Sequence, residues 1–443
     1  MKKIYLLPFA LIGIHILILS KLQFTAWPEM LSFPYVIDKG FIIYKDFHHV
    51  YQPLLTFILL GIYKIFGFNI VALKAFTYIL IAIIDFALFS TVKKLTKNNK
   101  IAIFSLTSYI LLQPVFDGNM LWYDIAVILP VLLSFYLVQT NLFLSGLFVA
   151  IAFLIKQQSV LLVLPIFIYL LIIKTNVKDI LKFIYGCIIP VSVLFLFLYK
   201  YNIFSDYLFW TFKFPLFYLP KIEGYAINPN SKEFFILILM GLTLVVGYIL
   251  NIKKIKSIFY VLLFLLLFMV LSAFPRFSLF HLQPALAVFI IVIGYLYSFS
   301  NKYFVLFLIP LLYLWKGVLL NPIKETRFYG NNEIKFSENI KKVVENKKVY
   351  FLGPSSIYYV LSNTLPPKPW IENYVWHFET PKLQKSVING WKIDPPRYIY
   401  WSKPKEGNWY DLATYQPKEI VEYIREKYMK INESQDVEIW KLK

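Results

Sequence analysis

Only 16% of the chain is charged, so the places where acids, histidines and lysines gather stand out. The first runs Trp27-Pro28-Glu29, then Asp38, then Gly40 through Tyr44-Lys45-Asp46 to His48-His49 and Tyr51-Gln52-Pro53. A carboxylate here could serve as general base toward a bound hydroxyl. The competing account is a solvated loop whose acids cap helices or pair with the lysines. The second stretch is Asp117-Gly118-Asn119, followed by Trp122-Tyr123-Asp124. Asp124 opens an apolar run, where the helix dipole alone favours an acid. Lys156 interrupts an apolar stretch that continues on both sides. Such a charge either finds a partner or snorkels to the headgroups. Arg276 and His281 flank a loop between two further apolar runs, and an arginine suits a bidentate phosphate contact as well as a headgroup anchor. Asp85 sits inside an apolar run, where a hydrogen-bonded structural role is expected.

The elements that must carry these residues are membrane helices. Of the 443 residues, 59% are hydrophobic, against roughly 45–50% in soluble proteins. Runs such as 234–250 and 257–274 contain no charge. The net charge of +20 is concentrated in short basic loops at 93–100, 174–178, 253–256 and 302. Those loops read as cytoplasmic, which removes nucleic acid as the reason for the basic balance. Lys2-Lys3 before Ile4 to Ser20 resembles a signal peptide without a small-residue cleavage site, so a retained first helix is expected. Cys187, the single cysteine, allows no intrachain disulfide.

The charge rule predicts about eleven spans, at 4–20, 70–92, 101–115, 122–138, 142–155, 158–173, 179–199, 234–250, 257–274, 284–299 and 303–320. Segment 53–67 is short, and counting it as a span would put the 93–100 lysines outside. It is therefore expected to lie on the outer surface. The fold class expected is mainly α: a polytopic bundle over 1–320 with outer surface helices in loop 21–69, and a small extracytoplasmic α/β domain over 321–443. Within that domain, strands are expected at Val349 to Leu352, Tyr398 to Trp401 and Val437 to Trp440. Helices are expected at Ser355 to Leu361 and Pro417 to Lys430, the latter with Ile420, Tyr423, Ile424 and Tyr428 on one face.

The series Gly40-x-x-x-Tyr44-x-Asp46, then Pro53-Leu54 and a helix ending Phe66-Gly67, resembles the first outer loop of GT-C glycosyltransferases. Protein O-mannosyltransferases and lipid A aminoarabinose transferases are relatives within that class. Lys74 stands where the class often has a basic residue after the Phe-Gly. Lys156-Gln157-Gln158 fits its lysine at the outer end of a later helix. The resemblance covers most of the chain through short motifs. One departure is that the leading acid of the class is commonly an Asp-Glu pair, where this chain has the lone Glu29 after Pro28. The base is thus left between Glu29 and Asp46, with Asp38 behind them.

The resemblance implies an inverting transferase in the plasma membrane. It takes a sugar from a polyprenyl-phosphate carrier and gives it to a hydroxyl of a lipid, glycan or protein acceptor. It makes Lys74, Lys156 and Arg276 phosphate ligands, with His281 as a further donor. Asp117 or Asp124 would position the acceptor or a metal. No cofactor is firmly implied. A divalent metal stays open, although the adjacent pair His48-His49 is not a zinc spacing. There is no phosphate-binding glycine loop for a cytosolic nucleotide. The rival readings are a transporter or lipid flippase, for which acids near the bilayer midplane and internal repeats are expected, and a non-catalytic membrane scaffold.

Overall fold

The computed structural model describes residues 3–222, 225–299, 314–315, 325–344, 348–371, 378, 381–402, 417–434 and 436–443. The chain runs through α1 (Lys3–Ser20), α2 (Glu29–Asp38), α3 (Leu54–Phe66), α4 (Ile70–Thr96), α5 (Asn99–Leu112), α6 (Tyr123–Leu137), α7 (Leu142–Ile155), α8 (Val163–Ile172) and α9 (Val177–Tyr201). Next come α10 (Phe204–Leu208), α11 (Phe214–Phe217), α12 (Ser231–Asn251), α13 (Ser257–Leu271) and α14 (Gln283–Tyr297). The remainder carries α15 (Asn331–Val344), β1 (Val349–Leu352), α16 (Ile357–Ser362), α17 (Pro381–Ile393), β2 (Tyr398–Ser402), α18 (Lys418–Lys427), β3 (Tyr428–Ser434) and β4 (Val437–Leu442). These elements form two compact units. The first contains Met1–Thr25, Lys74–Phe197 and Ala226–Lys324. The second contains Ala26–Leu73, Leu198–Tyr225 and Glu325–Lys443.

The first unit is helical and apolar. Among the described residues, four helical stretches, Ile70–Thr96, Val177–Tyr201, Ser231–Lys254 and Leu279–Tyr297, are long and apolar enough to cross a membrane. The described residues also include six shorter apolar helices of 10–17 residues, one of which, α3, belongs to the second unit. Length therefore establishes a multi-pass membrane protein but not the count of about eleven spans. The expected span at 158–173 begins as a 3-10 turn, Gln157–Leu162, before continuing as α8. The expected span at 303–320 lies almost wholly outside the described residues. Local signals set several helix ends. Asn98 and Asn141 each accept backbone N–H groups at the starts of α5 and α7, and Asn230 forms a capping box with Glu233 at the start of α12.

Burial separates the helices of this unit. In the stretch ending α14, 89% of the residues in the apolar window are buried, against 17% for α9 and for α12. Every residue of α14 from Gln283 to Tyr297 is buried, so α14 is a central helix apolar around its circumference. By contrast, α9 exposes Val193, Leu196 and Tyr199, as a lipid-facing helix does. It meets α7 through two glycines. A Cβ on Gly146 would lie 2.0 Å from the Phe183 carbonyl oxygen, and one on Gly186 would lie 2.1 Å from that of Phe143. Small residues permit that backbone approach, the usual basis of tight helix pairing in lipid.

The second unit is built on a four-stranded sheet in the order β1-β2-β4-β3. β1 and β2 are parallel, with Val349 opposite Tyr398; the other two pairings are antiparallel. The expected strands at 349–352, 398–401 and 437–440 are present, the last two slightly longer. The expected helix 417–430 is corrected: Pro417 caps it, and it ends at Lys427. Tyr428 instead begins β3, which pairs along β4. The pairing supplies backbone partners that a continued helix would forgo. Helices α15 and α17 were not anticipated.

The first loop belongs to this same unit and is largely ordered as α2 and α3. Tyr35 of α2 donates to Asn363 Oδ1 at 3.0 Å, and the Ser32 and Ser356 hydroxyls are 3.1 Å apart. Tyr63 of α3 donates to the Met30 carbonyl at 3.0 Å. A backbone exchange joins the loop to the C-terminal segment: Trp370 N–H donates to Asp46 O at 2.8 Å, and His48 N–H to Trp370 O at 3.3 Å. Phe33, Phe47, His49 and Trp370 pack as a ring cluster around it. At 13 residues, α3 is about 20 Å long, shorter than the roughly 30 Å hydrocarbon core.

Candidate active site

Three residues far apart in sequence meet inside the first unit. Asp124 lies in the first turn of α6, Lys156 is the residue at which α7 ends, and His281 sits in the 3-10 turn Leu279–Leu282 that leads into α14. The Lys156 ammonium donates to Asp124 Oδ1, and His281 Nδ1 lies 2.9 Å from Asp124 Oδ2. The Asp124 and Lys156 side chains are 0% and 4% exposed, whereas that of His281 is 14% exposed. The accessible part of the cluster is therefore the imidazole. With the ionised Asp124 accepting from Nδ1, the ring presents Nε2, an acceptor when neutral and a donor when charged. The lysine retains donors beyond the one given to Asp124. Asp124 also accepts the field of the α6 N-terminus. A buried cation held in this way, beside a histidine, is arranged to meet an anion.

Arg276 is also in this unit and is mostly buried. Its loop is pinned to Ile227, whose N–H donates to Pro275 O at 3.0 Å and whose carbonyl accepts from Phe277 N–H at 2.9 Å. Lys74 rises from the second turn of α4, with its ammonium 5.4 Å from the centre of the Phe24 ring. Asp117 is exposed in a left-handed conformation (φ 52°) at the end of the 3-10 turn Gln113–Phe116. Of the two acids of that segment, Asp124 is the one joined to Lys156 and His281.

Glu29 and Asp46 lie in the second unit. Glu29 opens α2 and is buried. Asp46 Oδ2 accepts from the Ile42 N–H at 2.8 Å and from Lys368 at 2.7 Å, and the same ammonium donates to the Gly40 carbonyl at 3.0 Å. Asp46 thus closes the Gly40–Asp46 turn and ties it to Lys368. His49 has both ring nitrogens engaged: Nδ1 donates to the Tyr51 carbonyl at 2.7 Å, and Nε2 is 3.0 Å from the Thr56 hydroxyl. Burial lowers its pKa from 6.5 to about 4, with the Tyr51 bond opposing. His48 packs against Trp210. Among the described residues, no three His, Cys, Asp or Glu side chains come together as a metal site.

Neither a protein-family model nor a curated protein sequence matches the chain. A solved structure does. The crystal structure of ArnT from Cupriavidus metallidurans in the apo state aligns with a TM-score of 0.61 over 98% of this chain and 97% of that one, at 9% identity. The chain has the ArnT fold. A second ArnT structure from the same organism, bound to undecaprenyl phosphate, aligns over the same shares at 8% identity with a TM-score of 0.48. The resemblance read from Gly40 to Gly67 thus agrees with the fold of the whole chain. Sequence reasoning named Asp124, Lys156 and His281 separately and missed their direct contact. The available signal was their shared position, each at the end of an apolar run. Lys368, the partner of Asp46, carried no such signal.

Proposed function

We propose that this membrane protein is a glycosyltransferase that takes a sugar from a polyprenyl-phosphate carrier and transfers it, with inversion, to an acceptor hydroxyl at the outer face. The observation that carries the reading is the buried Lys156–Asp124–His281 cluster within a chain of ArnT fold. In the reaction, an acceptor O–H loses its proton to a carboxylate, and its oxygen attacks the anomeric carbon. The bond from that carbon to the phosphate oxygen breaks with its electron pair, so a phosphodiester leaves as a phosphomonoester with added negative charge. Preorganised cations and N–H donors stabilise such a charge most where water is excluded. Lys156 and Arg276 are assigned to that phosphate, His281 to a further hydrogen bond, and Lys74 to the carrier's charge. Asp124 holds Lys156 and His281 in place.

Glu29 is assigned as the base because it follows the first helix in the order of the leading acid of GT-C transferases. Asp46 orders the Gly40–Asp46 turn on which acceptor use depends. The C-terminal segment is assigned to the outer side with the first loop. Incubating the purified protein with radiolabelled polyprenyl-phosphate sugars and a cell-envelope extract tests the reading. Label should pass to an acceptor as free polyprenyl phosphate accumulates, and Lys156→Met should abolish both. Absence of turnover with the whole donor panel would overturn the assignment.

A further inference from the structure

A second set of buried polar groups in the first unit takes no part in the proposed chemistry, yet both sides of the Asp124–His281 contact are attached to it. Its centre is Gln113, fully buried where α5 gives way to the 3-10 turn. The Gln113 side-chain amide donates to the Gly118 carbonyl at 2.8 Å, and the Gln113 backbone carbonyl accepts from Gly118 N–H at 3.1 Å. That closed turn starts the segment ending at Asp124. The same Gln113 carbonyl accepts from the Gln283 side chain at 3.0 Å, and Gln283 also donates to Phe116 O at 2.8 Å. Gln283 is two residues beyond His281. One residue therefore ties down the approach to the carboxylate and the approach to the imidazole.

Gln113 is itself held by a pair of ionisable groups. His15 Nε2 lies 3.3 Å from Gln113 Oε1, and His15 Nδ1 lies 2.8 Å from Asp85 Oδ2. His15 and Asp85 are fully buried. Because the Gln113 nitrogen is committed to Gly118, its oxygen faces His15, so Nε2 must carry a hydrogen. One further proton then lies between His15 Nδ1 and Asp85, whichever atom holds it. The arrangement fixes the orientation of the glutamine amide, since turning it over would put two donors together. Space is equally restricted on the other side. A Cβ on Gly118 would lie 2.2 Å from the Gln113 side-chain nitrogen.

We propose that Gln113, oriented by His15 and Asp85, is a positioning residue that sets the Asp124–His281 geometry and so the affinity of the cluster for a phosphate headgroup. The headgroup rests on the function proposed above; the positioning does not. The test uses the full-length protein in detergent, binding radiolabelled undecaprenyl phosphate well below the thermal midpoint of every variant. Gln113→Met keeps the length and removes both side-chain hydrogen bonds. It should weaken binding about tenfold, the scale on which partners of a ligand-binding group act. His15→Phe should weaken binding to a similar degree, and the double variant no more than either alone, because the three residues act as one unit. Asp85→Asn should bind within about twofold of the parent, since an amide N–H can donate to Nδ1 and leave Nε2–H in place. A merely structural role would lower the midpoints without this pattern of loss, non-additivity and rescue.

The 15N spectrum of histidine-labelled protein, with the His281 signal assigned through His281→Gln, gives a second readout among only five histidines. Gln113→Met should displace that signal. If Lys156→Met weakens binding and Gln113→Met does not, the positioning role is overturned and the phosphate site stands. If Lys156→Met binds as the parent does, the phosphate reading fails, and the His281 signal alone decides: an unmoved signal in Gln113→Met overturns positioning as well. Should Gln113→Met fail to fold, His15→Phe carries both measurements with the same criteria.

Discussion

The two units use their acids differently. In the first, Asp124 gives both oxygens to cationic or N–H donors from other helices, and all three side chains are largely removed from solvent. In the second, Asp46 is shared between a backbone N–H four residues away and Lys368, whose side chain is 45% exposed. The first arrangement concentrates charge where it is costly to keep. The second shapes a turn at a water-accessible edge. Cost of this kind is a guide to function, because a buried ion pair adds little to stability over an apolar replacement. A pair whose lysine is nearly half exposed needs no such explanation.

The contrast is broken most severely by removing one member of the buried pair. Lys156→Met should strand the Asp124 carboxylate and lower stability by about 3 kcal/mol. Adding Asp124→Asn should recover at least half of that, as read by unfolding in detergent. If the single and double variants unfold alike, the pair is not the unit described here. In the second unit, the comparable burden falls on His49. Its folded pKa of about 4 lies below the ordinary 6.5. Above pH 6.5 neither state holds the proton, so nothing is lost. As pH falls from 6.5 to 4, the unfolded ring binds a proton that the folded ring refuses, and stability declines by roughly 3 kcal/mol. His49→Gln should flatten this part of the profile relative to the parent. Parallel profiles would show that another group controls it.

Single-turnover transfer at saturating donor and acceptor sharpens the roles of Glu29 and Asp46. Glu29→Gln should slow the chemical step about a hundredfold or more, as loss of a general base does. Asp46→Asn should mainly weaken use of the acceptor. Near-normal turnover for Glu29→Gln with collapse for Asp46→Asn would exchange the two assignments. The smallest effect is expected from Lys368→Met. With the lysine 45% exposed, this pair contributes under about 1 kcal/mol, so the thermal midpoint should shift by a degree or two at most. A larger shift would place Lys368 among the structural residues of the unit.

Much of the architecture was legible because its signals are local. Lys156 stood out by breaking an apolar run, Asp124 by opening one, and Val349–Leu352 as a short apolar strand ending at a glycine. Tyr428 shows where this stops. It falls in the helical period of Ile420 and Ile424, but pairing with β4 claims it for a strand. α15 and α17 do carry apolar residues at helical spacing, Ile340 and Val344 in one and Val387 and Trp391 in the other, but polar residues fill most of their length and no long apolar run marks them. The contacts that define the candidate site were invisible for a simpler reason. Asp124 and His281 are 157 residues apart, and Asp46 and Lys368 are 322 apart. Type and spacing identify groups that need partners; only the fold says which partners they take.

The enclosure of α14 also bears on how the molecule is made. A helix leaving the ribosome enters the bilayer among lipids, but α14 ends with protein around its whole circumference. Among the described residues, its helical neighbours α5, α6, α12 and α13 precede it in the chain. During synthesis from the N-terminus, they must be inserted while the slot that α14 will fill is still occupied by lipid or collapsed. The middle of the first unit is therefore filled by a late insertion that displaces lipid from among helices already in place. Chains arrested before residue 279 should hold the earlier helices in a looser, lipid-penetrated bundle, without the turn that brings His281 to Asp124.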